Sequence, residues 1–208
     1  MFKLCTQEIY NNITYHERFM ATAKTGSFYL TETVTLVNTA TSGARVQGSI
    51  DLGAYVNVAT GQAVAIESVD FIYQAGTAMA QDAASFVNGS ASLSAQLTDL
   101  NPGTAFVRAD DQSLIASGSL AINRAGSQPT DANILSHQAD LYPDNFGPTN
   151  LSEAFLVVND SLYLVGGVDG NDIASNDVFI TARIKCRVAK LSSKDWMAIA
   201  IQSTASDN

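Results

Sequence analysis

Gln62–Gln74 reads QAVAIESVDFIYQ, and the fold turns on how that stretch is interpreted. Val64 and Ile66, then Val69, Phe71 and Tyr73, alternate as the apolar positions of a half-buried β-strand do. The parity changes once. Ile66 and Val69 are three apart, so one face holds both sets in register only if the strand carries a bulge or is covered on both faces near Ser68. Fully extended, the segment spans roughly 40 Å at ~3.3 Å per residue, long for a strand in a globular domain. A strand of that length needs partners, and the rest of the chain supplies alternating segments to pair with it.

Composition sets the outer bounds. A chain of 208 residues, 46% hydrophobic and only 15% charged, buries a sizeable core as one large β-domain. The formal charge of −9 and a pI near 4.4 argue against a broad nucleic-acid surface, because phosphate neutralisation needs clustered Lys and Arg. The basic residues are scattered apart from Arg183, Lys185 and Arg187. The opening MFKLCTQEIYNNITYHE is too polar for the apolar core of a secretory signal, and nowhere do eighteen apolar residues run together as a membrane helix requires. Cys5 and Cys186, far apart in sequence, make no metal or redox motif and are expected as reduced thiols, Cys186 buried on a strand.

Residues 1–26 read as an N-terminal arm and 27–208 as the folded domain. In the arm Ile9 and Ile13 recur at helical spacing, but Asn11-Asn12 weakens a helix. FYLTETVTLV then places Tyr29, Thr31, Thr33 and Thr35 on one side of a strand, with Phe28, Leu30, Val34 and Leu36 on the other. Asn38–Gly43 is turn chemistry, Val46–Leu52 the next extended piece, and Gly53–Gly61 the connection into the long strand. Beyond it, Ala75–Gly89 reads as a loop with one helical turn near Met79–Ala84. Ser90–Leu97 puts Ala91, Leu93, Ala95 and Leu97 on one face, and Asn101-Pro102-Gly103 closes that strand. Leu114–Ile122 is expected as strands broken by Gly118, and Asn123–Pro148 as a long polar connection. FLVV and SLYLV about Asn159-Asp160 read as a tight hairpin. Val178–Val188 alternates Phe179, Thr181, Arg183, Lys185 and Arg187 against an apolar face, a basic stripe expected to be solvated. Ser192 or Ser193 caps a short C-terminal helix with Asp195 in its first turn and Trp196, Ile199 and Ala200 at helical spacing, and STASDN forms a tail.

About eight strands without strand-helix alternation predict an all-β antiparallel sandwich, a jelly roll with a short C-terminal helix. An immunoglobulin-like sandwich is the other form, and the Cys, Trp, Cys spacing that marks it is missing.

No constellation in the sequence names a reaction. His16 sits in the arm and His137 in the polar connection beside Ser136, an adjacency that makes no triad geometry. G-x-S-x-G, P-loop and H-E-x-x-H patterns are absent, so an enzyme is not expected. Asp169, Asn171, Asp172 and Asp177 bunch oxygen atoms in a Gly-containing loop, a candidate calcium site that lacks the far Glu of an EF-hand; the same residue types also make ordinary turns. Tyr142, Pro143, Phe146 and Pro148 form an aromatic, Pro-rich loop suited to contacting a partner, protein rather than sugar.

The stretch GSIDLGAYVNVATGQAVAIESVDFIYQ, a short turn leading into a very long strand, and the closing VFITARIKCRVAKLSSKDWMAIAIQ, strand then helix, resemble the single-jelly-roll major capsid proteins of icosahedral viruses. The resemblance spans Phe28–Gln202 by pattern. It implies a shell-building subunit of the virion that contacts copies of itself and other capsid proteins and has no catalytic residues. One departure matters: a basic arm is common in members that package nucleic acid directly, whereas here Lys3, Arg18 and Lys24 are offset by Glu8 and Glu17. The expectation is no direct nucleic-acid contact, with genome contact left to another protein or an internal membrane lying between shell and genome. The rival class is a carbohydrate-binding or adhesive β-sandwich module with a structural calcium.

Overall fold

The computed structural model describes residues 22–23, 25–82, 85–124, 134–140 and 154–205. In chain order these form β1 (Thr22–Ala23), β2 (Phe28–Leu36), β3 (Arg45–Asp51), β4 (Gln62–Ala75), β5 (Ala91–Thr98), β6 (Leu114–Arg124), β7 (Ile134–Asp140), β8 (Phe155–Val157), β9 (Ser161–Asp169), β10 (Val178–Lys190) and helix α1 (Ser193–Ala205).

The long strand expected at Gln62–Gln74 is β4, and the parity change marks a real irregularity. Lys185 of β10 pairs with Ser68 and Cys186 with Ile66, so Glu67 is an extra residue on β4. The bulge lets Val64 and Ile66 on one side of it, and Val69, Phe71 and Tyr73 on the other, all reach the same core. β10 is the partner of β4 over its whole length and is bordered on its other edge by β2 and β1. β8 completes this sheet. The second sheet runs β3-β9-β5-β6-β7, and every pairing in both sheets is antiparallel.

The pairings nest. β5 pairs with β6, β4 with β8, β3 with β9 and β2 with β10, so the outermost of these strands pair with each other and the innermost pair is the one made by strands consecutive in the chain. This is an antiparallel ribbon rolled into two facing sheets, the jelly-roll arrangement.

The inward residues of both sheets make one core. Val34 and Leu36, Ile66 and Phe71, and Ile180 and Ile184 from the first sheet meet Ile50, Leu93, Leu97, Leu162 and Leu164 from the second. At Gly166 the sheets approach closely. A Cβ there would lie 2.8 Å from Val34 Cγ2 and 3.0 Å from Ile180 Cδ1, so no larger residue fits without displacing the core. Where the rims of β2 and β3 face each other, Glu32 shares the inward side with Val34, and Gly48 on β3 leaves room for it. Burial raises the pKa of the Glu32 carboxyl. A second, smaller apolar cluster lies where α1 packs: Ala63, Val158 and Leu191 against Trp196, Ile199 and Ala200. The helix is capped as expected, with Ser192 Oγ accepting from Asp195 N at 3.1 Å and donating to Asp195 Oδ2 at 2.7 Å.

Five expectations need correction. FLVV and SLYLV are not a hairpin: β8 joins β4 in one sheet and β9 joins β3 and β5 in the other, so Asn159-Asp160 turns a corner between sheets. Gly118 does not break β6, because it pairs with Ala95 on one side and Asp140 on the other and keeps its place in the ladder. The connection after Asn123 contains β7, an edge strand pairing Ile134–Asp140 with Gly118–Arg124, so His137 is on a strand, opposite Ala121. Helix α1 runs to Ala205, three residues into the stretch expected as a tail. In the Ala75–Gly89 loop the chain folds back at Met79, whose φ is 52°, and Ala75 pairs with Ala80, a tight turn in place of the start of a helical one.

Candidate functional site

The loop between β9 and β10 gathers the four residues read as calcium ligands, and each meets a different protein group. Asp169 receives Arg45 Nη2 on both carboxylate oxygens, at 2.8 and 2.7 Å. The same guanidinium lies 4.5 Å from the Phe106 ring centroid and donates to Ala44 O and Val168 O. Asn171 Nδ2 donates to Ser90 O at 2.7 Å, Asp172 Oδ1 accepts from Ser42 N at 2.9 Å, and Asp177 Oδ1 accepts from Asn38 N at 2.8 Å. Gly170, with φ 100°, donates its N–H to Ser42 Oγ at 3.0 Å. The arrangement stitches this loop to the Asn38–Gly43 turn and to the start of β5. Among the described residues no group of three or more His, Cys, Asp or Glu is placed to hold a metal ion.

The contact residues Tyr142, Pro143, Phe146 and Pro148 lie outside the described residues, as do His16 and Cys5. Cys186 is a buried free thiol whose pKa is pushed up to about 12 by burial, with the charge of Glu67 adding to it. Tyr55, which an exposed sugar platform would need free, stacks on Phe28 with ring centroids 5.0 Å apart. Tyr29 stands exposed on the outer face of the first sheet with the Arg183 guanidinium 4.5 Å from its ring centroid.

Two polar clusters escaped sequence reasoning because their members are far apart in the chain. On the outer face of the first sheet Glu67, 4% exposed, is ion-paired to Arg187 and to Lys185, the latter at 3.5 Å, and accepts from Ser27 Oγ at 2.9 Å. The basic stripe is therefore only partly solvated: Arg183 is exposed, while Lys185 and Arg187 are drawn to a carboxylate. At the end of β5, Asp99 is buried; its backbone C=O and its Oδ2 accept from Asn159 Nδ2 at 3.0 and 3.2 Å. Burial, with a smaller push from the charge of Asp111, raises its carboxyl to about 6.

The segment after Asp99 folds over the outer face of the second sheet. Gln96 clasps Val107 through two hydrogen bonds of 3.0 and 2.8 Å, Gln47 donates to Asn101 Oδ1 at 2.8 Å, and Phe106 lies under Arg45. Val165, on the outward side of β9, is fully buried.

No family model and no curated protein matches the chain. Among solved structures it is similar to one of Desmodium yellow mottle tymovirus, at 9% identity over 92% of this chain and 96% of that one, with a TM-score of 0.30. A structure of Trichodysplasia spinulosa-associated polyomavirus VP1 in complex with GM1 oligosaccharide is similar at 9% identity over 83% and 97% of the two chains, TM-score 0.36. Dimeric latent PorU from Porphyromonas gingivalis is similar over 81% of this chain and 14% of its own, at 11% identity and a TM-score of 0.29. These likenesses are loose, and the jelly-roll assignment stands on the nested strand pairing of the chain itself.

Proposed function

We propose that the chain is a structural subunit of a viral capsid, a building block of an icosahedral shell that packs against copies of itself and against other coat proteins in the virion. The observation that supports this reading is the complete jelly-roll pairing, β2 with β10, β3 with β9, β4 with β8 and β5 with β6, carried on the two stretches that resemble capsid subunits. A fold alone hosts many functions, so assembly is what tests the proposal. The role proposed is structural, and the buried carboxylates Glu67 and Asp99 are engaged by Arg187, Ser27 and Asn159. The net charge of −9 leaves phosphate poorly neutralised, so genome contact falls to another protein or to a membrane inside the shell.

Electron microscopy and size-exclusion chromatography of the purified chain test the reading. Closed shells or a discrete symmetric oligomer are expected. A chain that stays monomeric at high concentration overturns it. A monomer whose melting temperature rises with a glycan or with calcium would favour the adhesive module instead, and calcium at the β9–β10 loop would have to take Asp169 from Arg45.

A further inference from the structure

Both strands bordering β10 are irregular at the same level. On the β4 side Glu67 is the extra residue opposite Lys185 and Cys186. On the other side β2 begins with Phe28 against Cys186 and β1 closes with Ala23 against Ala189, so neither strand pairs with Arg187 or Val188 there. Side chains replace the ladder in that gap. Val188 N donates to Thr25 Oγ1 at 3.0 Å, and Arg187 Nη2 donates to Ser27 Oγ at 3.3 Å while Ser27 Oγ donates to Glu67 Oε2 at 2.9 Å. The bulge carboxylate thus reaches across β10, past Arg187, and holds the segment on its far edge.

What holds that segment differs from what holds the sandwich. Thr25, Gly26 and Ser27 are all exposed, and β1 contributes only the rungs Thr22 to Lys190 and Ala23 to Ala189. Segments with few buried apolar contacts open locally at low cost, whereas β4 and β10 open only with the core.

We propose that Ser27, Glu67 and Arg187 form a latch, and that Thr22–Ala23 and Thr25–Ser27 lie as a strap over the last rungs of β10 and detach together while the sandwich stays folded. Glu67 sits at the bulge because an ordinary pleat would space it away from Ser27; the extra residue brings its carboxylate onto the outward face with Lys185 and Arg187. The latch sets whether the Cys186–Lys190 edge of β10 is covered.

Hydrogen exchange on the full chain tests this, with the Val188 amide as reporter because its acceptor, Thr25 Oγ1, belongs to the strap. In Ser27→Ala the amides of Thr22, Ala23, Thr25–Ser27 and Val188 are expected to exchange about tenfold faster, in line with losing one hydrogen bond to a charged group, while those of Val69–Tyr73 keep their rates. Glu67→Gln, which keeps the shape and removes the charge, is expected to give the same local pattern, and more strongly. Unchanged exchange at Val188 in Ser27→Ala overturns the latch, as does an acceleration spread equally over the core. Should Glu67→Gln fail to fold, Ser27→Ala decides alone, since it removes an exposed hydroxyl and leaves the Glu67 ion pairs in place. Neither outcome depends on whether the chain builds a shell.

Discussion

Replacing Asp99 by Asn should make the protein more stable at neutral pH and leave it little changed in acid. The Asp99 side chain is buried, its Oδ2 accepts from Asn159 Nδ2, and burial raises its carboxyl from 3.8 to about 6. The unfolded chain restores the ordinary value, so between these limits the native state holds the proton more tightly than the unfolded one. The stability associated with the protonated group is fully present below pH ~4 and is lost as pH rises through about 6. A shift of roughly 2 units at about 1.4 kcal/mol each amounts to ~3 kcal/mol across that window. An Asn retains an oxygen to accept from Asn159 and carries no charge to bury beside Asp111. Urea unfolding of both proteins from pH 4 to 7.5 isolates the effect, because the other carboxylates cancel in the difference. We expect Asp99→Asn to gain about 1–3 kcal/mol over the parent at pH 7.5, and that gain to vanish near pH 4. A difference that stays constant over the whole range would refute the claim that an ionised, desolvated Asp99 works against the fold.

Two other outcomes follow from the packing. Gly166→Ala drives a methyl into Val34 and Ile180 and should cost about 1–3 kcal/mol as overpacking, read as a lower urea midpoint; a neutral result would mean the two sheets separate freely at that point. Cys186, buried and with its thiol pushed up to about 12, should react with an aromatic disulfide reagent only as fast as the protein unfolds; prompt modification of the native chain would contradict its place in the core.

Much of this architecture was readable because it is local. The alternation of β2, β5 and β10 follows from which residues each strand buries, and the three-residue step from Ile66 to Val69 requires either a bulge or cover on both faces, of which the bulge is what forms. What depends on distant segments was not readable. Asn159-Asp160 suits a hairpin and a corner equally, and only the competition of β4 against β3 and β5 for the flanking strands decides between them. β7 escaped because ILSHQAD lacks period-two alternation, which an edge strand paired on one side does not require. The polar clusters are the extreme case. Ser27, Glu67 and Arg187 carry no mutual signal in the chain, and the Asp169 loop looked like an ion-binding cluster because nothing in its own residues reveals that Arg45 will arrive. Short-range pattern sets which face of a strand is wet; it is silent on which charge will meet which.

The Glu32 carboxylate, seated behind Gly48 in the mouth where the β2 and β3 rims converge, bears on how copies of this protein can meet. A neighbour adding a strand along that rim would strip water from the Glu32 carboxylate, and inward-facing charges of this kind discourage edge-to-edge growth into fibres. For the proposed shell subunit, contacts between copies would then fall to loops and outer faces rather than to this rim. Acid, by neutralising the same group, lifts the restraint.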